Sequence, residues 1–357
     1  MKKVLIISLV LSLFLLAFSI LMSVANPIKR SAAPQDISPT PPSAAPVTDG
    51  SQPIGTPPVS LSPGAEYVFQ DAAVSVRVSL DGQITDMTLH DYLIGVVAAE
   101  MPASFADEAL KAQAVAARTE TLYHILLFQS EKHPDADVCS DPTCCQAFKT
   151  DGELREKWGD AYGDYIKKIT EAVERTDGEC LTYQNTPIQA VFHSSSAGQT
   201  ADSDEVWAYD LPYLVSVKSP ETAADVPNYV SAVTVSLSDF KDTVSRFYPT
   251  AVFPKDKAKW VTDITYTESG RIRTLRLGGV SVSGPSLRSM FGLRSTAASI
   301  EIGDKNVILT TTGYGHGVGM SQYGANAFAV QGKSYREILL WYYTGATLSD
   351  SKDLINN

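Results

Sequence analysis

The sequence predicts an α+β protein in three parts: an N-terminal transmembrane helix over 1–26, a disordered Pro/Ser-rich linker over 27–64, and a mixed helical and β region with a cleft over 65–350. Three observations carry this reading. Lys2 and Lys3 precede an uncharged run from Val4 to Ala25, long enough as a helix rising about 1.5 Å per residue to cross a bilayer. Residues 27–63 hold ten of the chain's twenty prolines and show no apolar periodicity, so they cannot bury enough surface to fold. Beyond them, strand-like alternation and helical periodicity interleave over a length that suits one large domain or two modest ones.

The apolar run has an alternative reading as a cleaved signal peptide, since Ser23-Val24-Ala25 resembles a cleavage site, but the run exceeds the usual signal core. Lysines and Arg30 flank it on both sides, leaving the positive-inside rule undecided. A spacer directly after an anchor holds a domain away from lipid, which places the C-terminal part outside the cytoplasmic membrane. The net charge of −11 argues against nucleic acid and for a weakly charged polymer as partner. Four cysteines are too few for a disulfide framework in so long a chain.

Within the folded part, residues 67–89 alternate as two short strands around the turn pair Asp81-Gly82, an opening hairpin. A helix follows from about Asp91 to Met101, stopped by Pro102. Ser104 and Asp107 offer a capping box for a second helix from Asp107 to Phe128, rich in alanines that admit close packing and carrying Lys111 and Arg118 on one face. Asp151 to Val173 reads as helix, and Glu179–Gln184 with Ile188–Phe192 as a hairpin. Residues 228–284 alternate short strands with turns, and a glycine-rich stretch from Gly313 leads to a helix from Ser334 to Tyr343. Helices are expected early and strands late.

The chemistry concentrates in four places. Glu100 stands in a nearly uncharged apolar run, where loss of hydration raises a carboxyl's proton affinity, the condition a general acid needs. Lys111, Gln113 and Arg118 follow as candidate sugar-binding or charge-stabilising groups, although nearby cations would lower the same pKa. In AVFHSSSAGQT, residues 190–200, His193, Ser194 and Ser195 read as a polar loop contacting substrate; no G-x-S-x-G elbow supports a serine triad. In GYGHGVGMSQ, residues 313–322, the spacing fits no phosphate loop, and His316 and Gln322 are candidates to line a site. His133, Cys139, Cys144 and Cys145 form either a tetrahedral zinc site or a disulfide pair; Cys180 reads as a small buried hydrophobe.

The motifs GVVAAEMP with KAQAVAAR, PYLVSVKSP at 212–220, and GHGVGMSQYGA at 315–325 followed by ILLWYYTG resemble the stage II sporulation protein D family of membrane-anchored lytic transglycosylases, over about 65–350. The resemblance implies that Glu100 is the catalytic acid. It would cleave between N-acetylmuramic acid and N-acetylglucosamine in peptidoglycan glycan strands already stripped of peptides, with the muramic C6 hydroxyl attacking to give 1,6-anhydro products. Lys111, Arg118 and Tyr213 fall within the matched motifs as substrate-binding positions. The resemblance also implies a partner sporulation amidase, a membrane scaffold protein, and a place in the mother-cell membrane at the septum during engulfment. Some clostridial relatives carry zinc on two His and two Cys; the matching positions here are His133, Cys139, Cys144 and Cys145, and a Cys139–Cys144 disulfide is the competitor. The alternative function is a non-catalytic, glycan-binding enhancer of a partner amidase. A zinc amidase built on His133, His193 or His316 finds no His-Glu-x-x-His pattern.

Overall fold

The computed structural model describes residues 70–207 and 209–355. The expected transmembrane helix at 1–26 and linker at 27–64 lie outside these residues. Among the described residues, no helix is long and apolar enough to cross a membrane. The longest, Asp107–Leu126, carries Asp107, Glu108, Lys111, Arg118 and Glu120. The expected membrane location is corrected to this extent: the described residues do not show it.

Asp81 and Gly82 take φ of 49° and 84°, the two-residue turn whose twist matches paired strands. They fold β1 (Ser75–Leu80) onto β2 (Gln83–Thr88), with Ser75 opposite Thr88 and Leu80 opposite Gln83. Thr88 caps α1 (Leu89–Glu100) by accepting from the Asp91 amide, and the chain turns extended at Met101 before Pro102. Next comes α2 (Asp107–Leu126), whose start differs from expectation: Ala106 is the N-cap and no side chain caps it. Ser104 lies too far upstream, and the Ala106 amide instead donates to Asn326 Oδ1 at 2.9 Å. The alanines let α2 be buried around most of its circumference, as befits a central helix.

The short β3 (Val138–Cys139) joins β1 in parallel. The helix expected over 151–173 is two, α3 (Asp151–Trp158) and α4 (Tyr162–Glu174), because Gly159 at φ 51° interrupts the ladder. β4 (Glu179–Tyr183) turns through Gln184 and Asn185, both at positive φ, into β5 (Thr186–Pro187). Pairing continues past Pro187 only by the Ile188 amide donating to the Leu181 carbonyl at 3.2 Å, and the rest of the expected second arm leaves for other partners as β6 (Phe192–His193).

Residues 230–312 form a second hydrophobic core. It contains β7 (Val230–Ser236), α5 (Leu237–Phe247), β8 (Val261–Tyr266), β9 (Ile272–Leu277), β10 (Val280–Ser283), α6 (Gly284–Phe291), β11 (Ala298–Ile302) and β12 (Asn306–Thr312). Two antiparallel three-stranded sheets, β10-β9-β8 and β11-β12-β7, enclose Phe240, Trp260, Leu277 and Leu309. Ring centroids of Phe240 and Phe291 lie 5.2 Å apart, and such pairs add about 1 kcal/mol each beyond buried area. The expected run of late strands is thus interrupted by helices. Ser236 caps α5 through the Asp239 amide, a signal readable in the sequence.

The chain then returns to the first core with β13 (Met320–Ser321), α7 (Gln322–Val330), α8 (Tyr335–Tyr342) and β14 (Thr347–Asp350). β13 lies parallel to β6, and β14 pairs with β4. This first core joins α1, α2, α4, β4 and α8 through residues such as Tyr92, Val96, Leu110, Ile169, Leu181 and Tyr342. The return brings Gln322, at the start of α7, to the end of α1.

Candidate active site and metal centre

Glu100 is the last residue of α1, where unpaired helix carbonyls already disfavour a negative charge. Its carboxyl is half-buried and takes two hydrogen bonds: the Ala147 amide donates to Oε1 at 2.8 Å, and Gln322 Nε2 donates to Oε2 at 3.1 Å. Burial pushes its pKa up from the ordinary carboxylate value, and the two hydrogen bonds oppose without reversing this. The competition between cations and burial that the sequence posed is decided by placement. Lys111 Nζ pairs with Glu108 at 2.6 Å, and Arg118 pairs with Asp71 at 2.7 Å, so both cations have carboxylate partners elsewhere.

Three of the other expected substrate residues, Arg118, Gln113 and Tyr213, are buried. Arg118 is wholly buried; its guanidinium reaches Asp71, Thr176 and the carbonyls of Val173 and Glu179, which places it in the core rather than in a cleft. Gln113 is also fully buried, with neither amide atom partnered. Tyr213 is buried, its hydroxyl accepting from the Gln189 amide at 3.2 Å.

His193 sits between the Val318 carbonyl at 3.1 Å and Ser196 Oγ at 2.8 Å. No carboxylate backs the ring and Ser196 is fully buried, so no exposed serine nucleophile arises here. Ser194 contributes its carbonyl to the Tyr323 amide at 3.0 Å, and Ser195 is buried with its hydroxyl unpartnered. His316 Nδ1 accepts from the Val318 amide at 3.1 Å, which leaves Nε2 to donate to the Phe192 carbonyl at 3.0 Å. Burial pushes His316 down to about 4, so it is neutral near pH 7. Its ring lies 5.5 Å from Trp207, which stacks on Tyr209 at 5.9 Å. This aromatic face was not anticipated, although a lone Trp and Tyr just ahead of the 212–220 motif were the available signal. The Ala147 amide was also missed, and a backbone donor leaves no trace in residue type.

His133, Cys139, Cys144 and Cys145 converge, with their ligand atoms all within 4.8 Å of one another. The expected alternative, a Cys139–Cys144 disulfide, is not formed: both cysteines are free. His133 Nδ1 lies 3.1 Å from the Ala136 carbonyl and donates to it, fixing Nε2 as the free ligand atom, 3.2 Å from Cys145 Sγ. One imidazole and three thiols are a donor set suited to a soft or borderline ion in tetrahedral geometry. Burial pushes the Cys139 and Cys145 thiols up, so a nearby cation is what would hold them as thiolates. These four residues could hold a metal ion. They are also tied to the acid through the chain, because Cys145 is two residues from Ala147, whose amide binds Glu100. The segment between is fixed on both sides. Gln146 Nε2 donates to Thr121 Oγ1 at 3.1 Å, Phe148 stacks on Tyr92 at 5.6 Å, and the Lys149 amide donates to the Gly95 carbonyl at 3.2 Å.

Comparison with known proteins gives these features a context. A family model described as "Stage II sporulation protein" matches residues 81–183, which contain Glu100 and all four candidate metal ligands. The chain is 34% identical over 351 residues to stage II sporulation protein D of Bacillus subtilis (strain 168), covering 98% of this chain and 96% of that protein. It is 36% identical over 295 residues to stage II sporulation protein D of Bacillus amyloliquefaciens, covering 82% and 84%. It is also 29% identical over 306 residues to the amidase enhancer of Bacillus subtilis (strain 168), covering 72% of this chain but 40% of that protein. Identity at this level along nearly the whole length of both chains fixes the kinship: the chain belongs to the stage II sporulation protein D family.

Proposed function

We propose that this sporulation protein is a lytic transglycosylase that cleaves N-acetylmuramic acid–N-acetylglucosamine bonds in peptide-stripped peptidoglycan during engulfment. The observation that carries this reading is the state of Glu100: half-buried, raised in pKa, and hydrogen-bonded only by neutral donors. A carboxyl whose proton affinity is raised by burial can give its proton to the glycosidic oxygen as the bond to C1 breaks. The resulting carboxylate then takes the proton of the muramic C6 hydroxyl as that oxygen bonds to C1, closing the 1,6-anhydro ring and restoring the acid. No second enzymic carboxylate is required. The Ala147 amide and the Gln322 carboxamide hold both oxygens in place through the cycle and stabilise the intermediate carboxylate.

Of the expected substrate-binding residues, Gln322 and His316 lie on the strip that leads to Glu100, and we retain them in that role. Lys111, Gln113 and Arg118 instead support the helices around the site. Zinc is the metal we assign to His133, Cys139, Cys144 and Cys145, where four protein ligands would close the coordination shell and lock the loop that carries Ala147. A partner amidase would act first, exposing the stripped strands.

The test is to incubate the purified protein with peptide-free glycan strands and analyse the ends by mass spectrometry. Anhydromuramyl ends are expected. The relative named amidase enhancer favours a second reading, in which the protein binds glycan and stimulates an amidase. That reading predicts unchanged glycan and faster peptide release by an added amidase.

A further inference from the structure

Arg271, the residue before β9, is 2% exposed, yet its Nε and Nη1 have no hydrogen-bond partner. Burial pushes it down to about 10, so it remains a cation at neutral pH. A buried, unpaired guanidinium is costly, because its lost hydration is not replaced. Glu205 acts favourably on Arg271, but both oxygens of that carboxylate are engaged by Ser269, one accepting from its amide at 3.1 Å and the other from its hydroxyl. Arg288, on α6, adds a second positive charge close enough to act on Arg271, and its Nε donates only to the Leu293 carbonyl at 3.2 Å. Burial above all, with both arginines adding to it, pushes His193 and His316 down. Among the described residues, no carboxylate hydrogen-bonds either guanidinium, although Glu205 is close enough to act on Arg271.

The place is informative. Gly317 has no side chain, and a Cβ there would collide with the Arg271 guanidinium, so the cation lies directly against the glycine-rich strip. From Gly317 to Gln322, whose amide binds Glu100, is five residues, which even fully extended span at most about 18 Å. That is within reach of neighbouring sugars of one strand.

We infer that Arg271 and Arg288 form a carboxylate subsite for the lactyl group of a muramic acid residue whose stem peptide has been removed. The inference rests on the glycan-cleaving reading above. On an intact strand the lactyl group ends in a neutral amide. Hydrolysis of that amide leaves a carboxylate, which a guanidinium binds through paired charge-assisted hydrogen bonds. An amide in the same place leaves the two cations unpaired and adds peptide bulk. The subsite thus selects stripped strands by rejecting unstripped ones.

The experiment compares two ligands on the full chain carrying Glu100→Gln to prevent turnover: peptide-free glycan with free lactyl carboxylates, and the same glycan with those groups converted to methylamides. Conversion is expected to weaken binding about tenfold or more, the loss of a charged hydrogen bond. Adding Arg271→Gln should abolish the difference, both ligands then binding as weakly as the methylamide did, and Arg271→Lys should restore part of it. Equal affinity for the two ligands before any arginine is changed, a comparison that needs no arginine variant to fold, overturns the subsite and leaves the glycan-cleaving reading standing. An Arg271→Gln chain that still prefers the carboxylate also overturns it. Failure to bind either glycan defeats the reading and the subsite together.

Discussion

Replacing Arg118 by Leu tests whether this arginine supports the core or binds sugar. In the structure every guanidinium nitrogen is engaged: Nε and Nη2 lie 2.9 and 2.7 Å from Asp71 Oδ2, Nη1 donates to the Glu179 carbonyl at 3.0 Å, and Nη2 also donates to the Val173 carbonyl at 3.2 Å. Arg118 and Asp71 are 0% and 1% exposed, so removing one partner strands a carboxylate in the interior. Breaking a buried pair costs about 3–5 kcal/mol, and a domain of this size loses about 2–4 °C in Tm per kcal/mol. The variant should therefore melt roughly 6–20 °C lower, as should Asp71→Leu. The double variant should recover much of that loss, because no unpaired charge remains. Differential scanning calorimetry of the two single variants and the double gives the coupling directly. An Arg118→Leu protein that melts like the parent but no longer binds glycan would refute the structural role.

Gly95→Ala places a methyl group against the Phe148 ring and 2.8 Å from the Lys149 carbonyl oxygen. It should destabilise by about 1–3 kcal/mol and lower glycan cleavage further by displacing the Ala147 amide, as urea melts and initial rates would show. Gln322→Leu removes a hydrogen bond that lowers the Glu100 pKa, so the alkaline limb of the kcat/KM profile should move to higher pH; a limb that stays or moves down contradicts the assignment. Metal analysis should find one zinc per chain, and Cys145→Ser should reduce that content and the Tm together. His316 is held neutral with its pKa near 4, below the unfolded value of 6.5. The stability this represents is complete above about pH 6.5 and falls away as pH drops towards about 4, by about 3 kcal/mol in all. In His316→Gln, urea midpoints should lose that part of their acid dependence.

Local chemistry made much of the fold legible. Asp81-Gly82 announced its hairpin because only a few residue types accept positive φ in succession, and Pro102 ended α1 because its ring disfavours helix in the residue before it. The split at Gly159 and the helices α5 and α7 escaped because short amphipathic or glycine-containing segments resemble loops until a core claims one face. At the candidate site, an acid in an apolar run pointed to Glu100, and crowded cysteines pointed to the loop holding Cys139, Cys144 and Cys145. Helical spacing set Lys111 and Arg118 on a shared face but does not report what that face meets. Asp71, which claims Arg118, lies 47 residues upstream of it. Arg271 was invisible for the same reason, since its isolation depends on the absence of partners contributed by distant elements.

The central claim is that Glu100 donates the proton that breaks the glycosidic bond. Glu100→Gln keeps the shape of the side chain and removes the acid, so mass spectrometry of peptide-free glycan after incubation, with binding measured in parallel, isolates that role. Unchanged Tm, retained glycan binding and no anhydromuramyl ends are expected. Anhydro products formed at the parent rate by the Gln variant would contradict the claim.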